Sequence, residues 1–177
     1  MKQATKGNVS PMQAWLAYRC YAYDWGIMDV IALLKADHKK VNGLFKELSK
    51  LGDTAHARRK KLFVDIDREL TLHAHVEENI FYPAFKAETK ANSDERDEVL
   101  EAYEEHALVK TLLHELERLR PTAEPYNAKL QVLSELVEHH VKEEEHEMFK
   151  QAKKLLSKDE LEMLGKKMQA AKLRAKS

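Results

Sequence analysis

The sequence predicts an all-α protein: an antiparallel up-down-up-down four-helix bundle with an extra short helix at each end. Three observations carry this. Apolar residues recur at spacings of three and four through four long stretches. Helix breakers are scarce, with five Gly and four Pro in 177 residues. The stretches are joined by short connections, which favour antiparallel neighbours.

Residues 1–10 are polar, and Pro11 after Ser10 reads as a helix start. The aromatic segment PMQAWLAYRCYAYDW then forms a short helix across the outside of the bundle, ended by Gly26. The first bundle helix starts at the N-cap Asp29 and runs to Lys50, with Ile27, Ile31, Leu34, His38, Val41, Phe45 and Leu48 inward. The second runs from Asp53 or Thr54 to Lys86, with Leu62, Ile66, Leu70, His73, Glu77, Ile80 and Phe81 inward. Pro83 is expected to kink it or end it near Tyr82. The third follows Asn92-Ser93 and runs to Leu119, with Leu100, Tyr103, His106, Lys110, Leu113 and Leu116 inward. The fourth spans Tyr126 to Leu156, with Leu130, Leu133, Val137, His140, Val141, Glu144 and Met148 inward. Ser157 and Glu160 form a capping box for a basic tail helix carrying Leu161, Leu164 and Met168. That helix is read as laid on the bundle, in preference to a membrane surface. The division is therefore 1–26 as an extension, 27–154 as the bundle and 155–177 as the basic C-terminal helix.

Lys+Arg and Asp+Glu balance at 30 each, so no overall charge points to nucleic acid. There is no apolar run long enough to span a membrane. The start, MKQATKGNVSPMQAW, lacks the apolar core of a secretory signal, and lone Cys20 can form no internal disulfide. A cytoplasmic protein is expected.

The chemistry lies in His38, His73, Glu77, His106, His140 and Glu144. All fall on inward stripes, where imidazoles and carboxylates are costly unless something satisfies them. His73/Glu77 and His140/Glu144 have the spacing that puts two side chains on one face, one turn apart. His139 and Glu143 repeat this spacing but leave the Val137–Val141–Met148 stripe, and His75 turns outward. Imidazole with carboxylate suits iron, manganese or zinc. The four histidines divide two and two, and the glutamates stand where they can bridge two ions. A bundle with hydrogen-bonded core histidines and no metal is the plain alternative. The ferritin-like pattern is absent: Glu143-to-His146 is the single Glu-x-x-His, on the wrong face.

The segments MDVIALLKADHKKVNGLF, LTLHAHVEENIFYPAF and LVEHHVKEEEHEMF resemble the hemerythrin-type HHE cation-binding domain. The resemblance covers residues 27 to 152 and implies a four-helix bundle with a non-haem di-iron centre. His38 and His73 would bind one iron, His106 and His140 the other. Glu77 and Glu144 would bridge them, with an oxo or hydroxo group between. Manganese or zinc would fit the same donors. Oxygen carriers of this kind have His-x-x-x-His on the third helix, whereas here Lys110 follows His106. The second iron is thus one histidine short. That turns the expectation from reversible oxygen carriage towards reaction with oxygen, peroxide or nitric oxide, including catalase-like peroxide decomposition. Storing or sensing iron without turnover is the second reading.

Overall fold

The computed structural model of the chain describes residues 28–52, 54–91 and 93–175. The expected helix over residues 11–25, and Ile27, lie outside them. Among the described residues the order is α1 (Val30–Ser49), α2 (His56–Val76), a π turn (Glu77–Phe81), α3 (Tyr82–Glu88), α4 (Asp94–Arg118), α5 (Glu124–Glu143), a second π turn (Glu144–Met148), α6 (Phe149–Leu155) and α7 (Lys158–Arg174). Each π turn joins its flanking helices end to end, so α2–α3 and α5–α6 act as single rods beside α1 and α4.

Local chemistry sets the ends. Asp29 caps α1, its Oδ1 accepting from the Ala32 N–H at 2.7 Å. Ser157 and Glu160 form the reciprocal capping box of α7. Pro83 neither ends nor breaks the second rod. The π turn immediately before it sends the Tyr82 N–H back five residues to the Glu77 carbonyl, so the ladder is already offset where Pro83 withholds its donor. At the far end, the buried Arg59 donates to the Leu51 and Gly52 carbonyls and to Asn127 Oδ1, tying the first loop to α5.

The apolar core is split in two. One cluster includes Val30, Leu34, Phe81, Phe85, Val99, Phe149 and Leu164. The other includes Val41, Phe45, Ile66, Leu113, Leu130 and Leu133. α1, α2–α3, α4 and α5–α6 each contribute residues to both clusters. A polar layer lies between the clusters.

The third stripe differs from expectation. Val99, Ala102, His106, Val109, Leu113 and Leu116 are buried, whereas Leu100 is 47% exposed and Lys110 is at the surface. Spacings alternating three and four keep a row over the bundle axis, whereas the steps 100–103–106 drift off it. Helix α7 spends its apolar stripe on the bundle: Leu161, Leu164 and Met168 are buried in the first cluster. Gly165 permits this, since a Cβ there would lie 2.3 Å from the Met28 carbonyl oxygen. No helix among the described residues is long and apolar enough to cross a membrane.

Candidate metal centre

The polar layer holds all six residues singled out from the sequence. His38 comes from α1, His73 and Glu77 from the second rod, His106 from α4, and His140 and Glu144 from the fourth rod. Each is at most 6% exposed. The His38 and His73 Nε2 atoms are 3.2 Å apart, as are those of His106 and His140. Glu77 Oε2 lies 3.1 Å from His73 Nε2 and 3.4 Å from His106 Nε2, so it reaches both pairs. Glu144 Oε2 lies 3.2 Å from His38 Nε2. Two groups can each hold an ion: His38, His73, Glu77 and Glu144, and Glu77, His106 and His140.

The sequence reading missed what orients the imidazoles. Every Nδ1 faces a carboxylate: His38 to Glu145 at 2.9 Å, His73 to Asp37 at 3.4 Å, His106 to Glu78 at 2.9 Å, and His140 to Glu105 at 2.6 Å. An ionised carboxylate only accepts, so Nδ1–H is the donor and Nε2 of the neutral ring carries a lone pair aimed inward. The support is cyclic. Asp37 on α1 holds the second rod's His73, Glu78 there holds α4's His106, Glu105 on α4 holds α5's His140, and Glu145 holds α1's His38. Signals were present as acids adjacent to the ligand candidates: Asp37-His38, Glu77-Glu78, Glu105-His106 and Glu144-Glu145. Lysines brace this ring: Lys172 of α7 pairs with Asp37, Lys35 with Glu145 at 3.2 Å, and Lys110 with Glu78 at 2.5 Å. Lys110 is therefore a partner of the support ring, and Val109 is the inward residue following His106.

The pattern repeats between the halves of the chain, π turns included, since both begin at the inward glutamate. Phe149 stacks on His38 with centroids 5.9 Å apart, and Tyr82 stacks on His106 at 5.6 Å. The Tyr82 hydroxyl donates to Glu77 Oε2 at 3.5 Å, so the two stacking rings differ by one oxygen. Tyr103 is half-buried and bonds the Glu78 carbonyl. His75, His114, His139 and His146 are exposed.

Electrostatics of the layer suit cations. Burial pushes the His73 imidazole down to about 4. Burial and the neighbouring His140 do the same to His106. Both are neutral at pH 7, with lone pairs available. Burial opposes charge on His140, but Glu105 raises it above the ordinary value. Burial and Glu144 push Glu77 well above the usual carboxylate range. Burial alone would raise Glu144 too, but His38, His140 and His73 hold it at about 2. Glu77 Oε1 and both Glu144 oxygens are buried without a hydrogen-bond partner, an arrangement expensive for carboxylates.

The donor set fits metal. Two lone pairs facing across 3.2 Å repel, whereas two nitrogens ~2.1 Å from one ion subtend that separation at roughly 100°. The hemerythrin HHE cation-binding domain profile matches residues 29–152. The chain belongs to that family. A hemerythrin HHE cation binding domain-containing protein from Mycobacterium kansasii has a similar solved structure, with TM-score 0.68 and 28% identity over 81% of this chain and 84% of that one. A Nostoc protein named DNA nickase is 31% identical over 149 residues, 84% of this chain. The chain spans 40% of that relative's length. Membership brings the polar layer into a family defined by cation binding. Helix α7, with Lys172, lies beyond the matched segment.

Proposed function

We propose that this hemerythrin-family chain, folded up-down-up-down, holds two iron ions and reacts with oxygen, peroxide or a related small oxidant. The observation that carries the reading is the convergence of four inward Nε2 atoms on three buried carboxylate oxygens, Glu77 Oε1 and both of Glu144, that have no hydrogen-bond partner. His38 and His73 would ligate one ion, His106 and His140 the other, with Glu77 and Glu144 between them. Manganese or zinc would satisfy the same donors. Iron, when bound, supplies electron transfer to a small oxidant. The chain's own residues orient the imidazoles, keep Nε2 free and leave the six side chains at most 6% exposed.

A small cavity supports the choice of ligand. About 20 Å³ lies beside the four histidines, lined by Val41, Leu70, Ala74, Val109, Val137 and Val141. That is room for one water-sized molecule, and an apolar wall suits a neutral diatomic or hydrogen peroxide. Val109 occupies the inward position after His106, and the group there gathers three donors against four in the other.

The Nostoc relative's name raises action on DNA. Balanced charge and the carboxylate-rich surface beside the site disfavour a phosphate backbone. We assign the shared segment to metal binding; incubation of this chain with supercoiled plasmid should leave it closed.

The deciding experiment measures metal content and the optical spectrum before and after peroxide. Two irons per chain, with near-ultraviolet absorption that changes and recovers, are expected. Glu77→Ala and Glu144→Ala should each lose both ions. A wild-type chain that takes up no metal would overturn the reading, and steady-state peroxide loss at background level would leave a store or sensor.

A further inference from the structure

Beside the centre, α4 and the fourth rod are parted by a cleft of about 160 Å³ lined by Glu98, Glu101, Glu105, Glu143 and Glu147, with His140 and Glu144 at its floor. Glu101, Glu143 and Glu147 are exposed, Glu98 and Glu105 half-buried, and Glu144 is 2% exposed. Carboxylates thus descend from solvent to a buried group whose two oxygens have no hydrogen-bond partner. Among the described residues, no lysine or arginine lines the cleft. At its rim, His139 Nε2 lies 3.3 Å from Glu143 Oε1 and 3.9 Å from Glu105 Oε1, and the three can converge on one ion. Glu105 spans both levels, its other oxygen accepting from His140. The surface His-x-x-x-Glu pair thus stands over the buried one.

We propose that this cleft is the route by which divalent cations reach the buried centre, with His139, Glu143 and Glu105 as the point of first capture. The inference rests on the metal-binding reading and adds to it a path and a charge selectivity. Walls of one sign focus the field and raise the local concentration of the opposite ion, speeding capture by ten-fold or more at low ionic strength. Anions are turned away by the same field, while neutral oxidants are unaffected. Burial, then repulsion from Glu147 and other nearby acids, raises Glu98 above its ordinary value.

The test follows Co2+ uptake by the metal-free 177-residue chain in stopped flow, using the visible absorption of the bound ion. The triple variant Glu98→Gln, Glu101→Gln, Glu147→Gln removes charge from the mouth without touching a proposed ligand or its support. Its initial rate at low salt should fall at least fivefold, with final stoichiometry unchanged. Added salt should slow the wild type towards the variant. A control triple, Glu47→Gln, Glu115→Gln, Glu117→Gln, changes net charge equally at the far end of the bundle and should load at the wild-type rate. Equal rates for wild type and the mouth variant, or equal slowing by the control, would overturn the route while leaving the centre intact. Failure of the wild type to bind Co2+ would overturn both.

Discussion

Replacing Glu105 with alanine isolates the support ring from the ligands. Its Oε2 accepts the His140 Nδ1–H at 2.6 Å, the shortest of the four supporting contacts. Removing it leaves an N–H on an imidazole only 6% exposed, an unsatisfied group costing about 1–3 kcal/mol. Loss of such an outer partner lowers metal affinity about 10–100-fold, or about 1.4–2.7 kcal/mol. The first is a cost to the fold with or without metal, and the second a cost to binding, from the freedom His140 gains to turn its Nε2 away. Geometry ranks the other members. Glu78→Ala and Glu145→Ala, each removing a 2.9 Å contact, should cost less, and Asp37→Ala, removing one of 3.4 Å, least. Affinity for Zn2+ or Co2+, measured by competition with a chromophoric chelator, reads all four variants on one scale. Equal losses at every position, or affinity within threefold of wild type for Glu105→Ala, would refute the reasoning.

Glu77→Gln should stabilise the metal-free protein while abolishing the paired centre. The folded pKa of Glu77 is raised above the ordinary value, so the folded state holds the proton longer than the unfolded chain. Stability from this group is complete below about pH 4.5 and is lost as pH rises towards the folded value. Glutamine has no proton to lose, so its Tm advantage should be absent at pH 4 and grow towards pH 7; a constant difference would contradict this. Gly165→Val should weaken the docking of α7, since even a Cβ meets the Met28 carbonyl at 2.3 Å. A cost of about 1–3 kcal/mol, read by thermal denaturation, is expected, together with weakened metal binding through loss of Lys172 from Asp37. Unchanged Tm would show that α1 and α7 separate freely.

Much of the centre could be read from the chain because helical spacing is rigid. His73 and Glu77 cannot avoid sharing a face, and the same holds for His140 and Glu144. What escaped reading depends on the angle between helices. Asp37 and Glu105 sit one residue before their own histidines, so on a single helix they point aside. They become supports only because the next rod brings its imidazole across that flank. Tyr82 was hidden for another reason: the π turn inserts a residue and swings it onto His106, which a uniform period cannot anticipate. Lys110 was placed inward by carrying on the four-residue step from His106, whereas the three-residue step reaches the apolar Val109. The long-range heptad row through Val99, Ala102 and Val109 distinguishes them.

The closed ring of acids has a consequence for the order of assembly. During synthesis the fourth rod emerges last of the ligand-bearing elements, and it carries Glu145, which steadies His38 on the first. A nascent chain of three rods therefore has an imidazole on its first rod without its Glu145 partner and lacks both His140 and Glu144. On the proposed function, an ion met at that stage would find fewer donors, and the first of them unaimed. Tight capture would then wait until the bundle has closed on itself, so that the ion would seal a finished topology and not a half-built one.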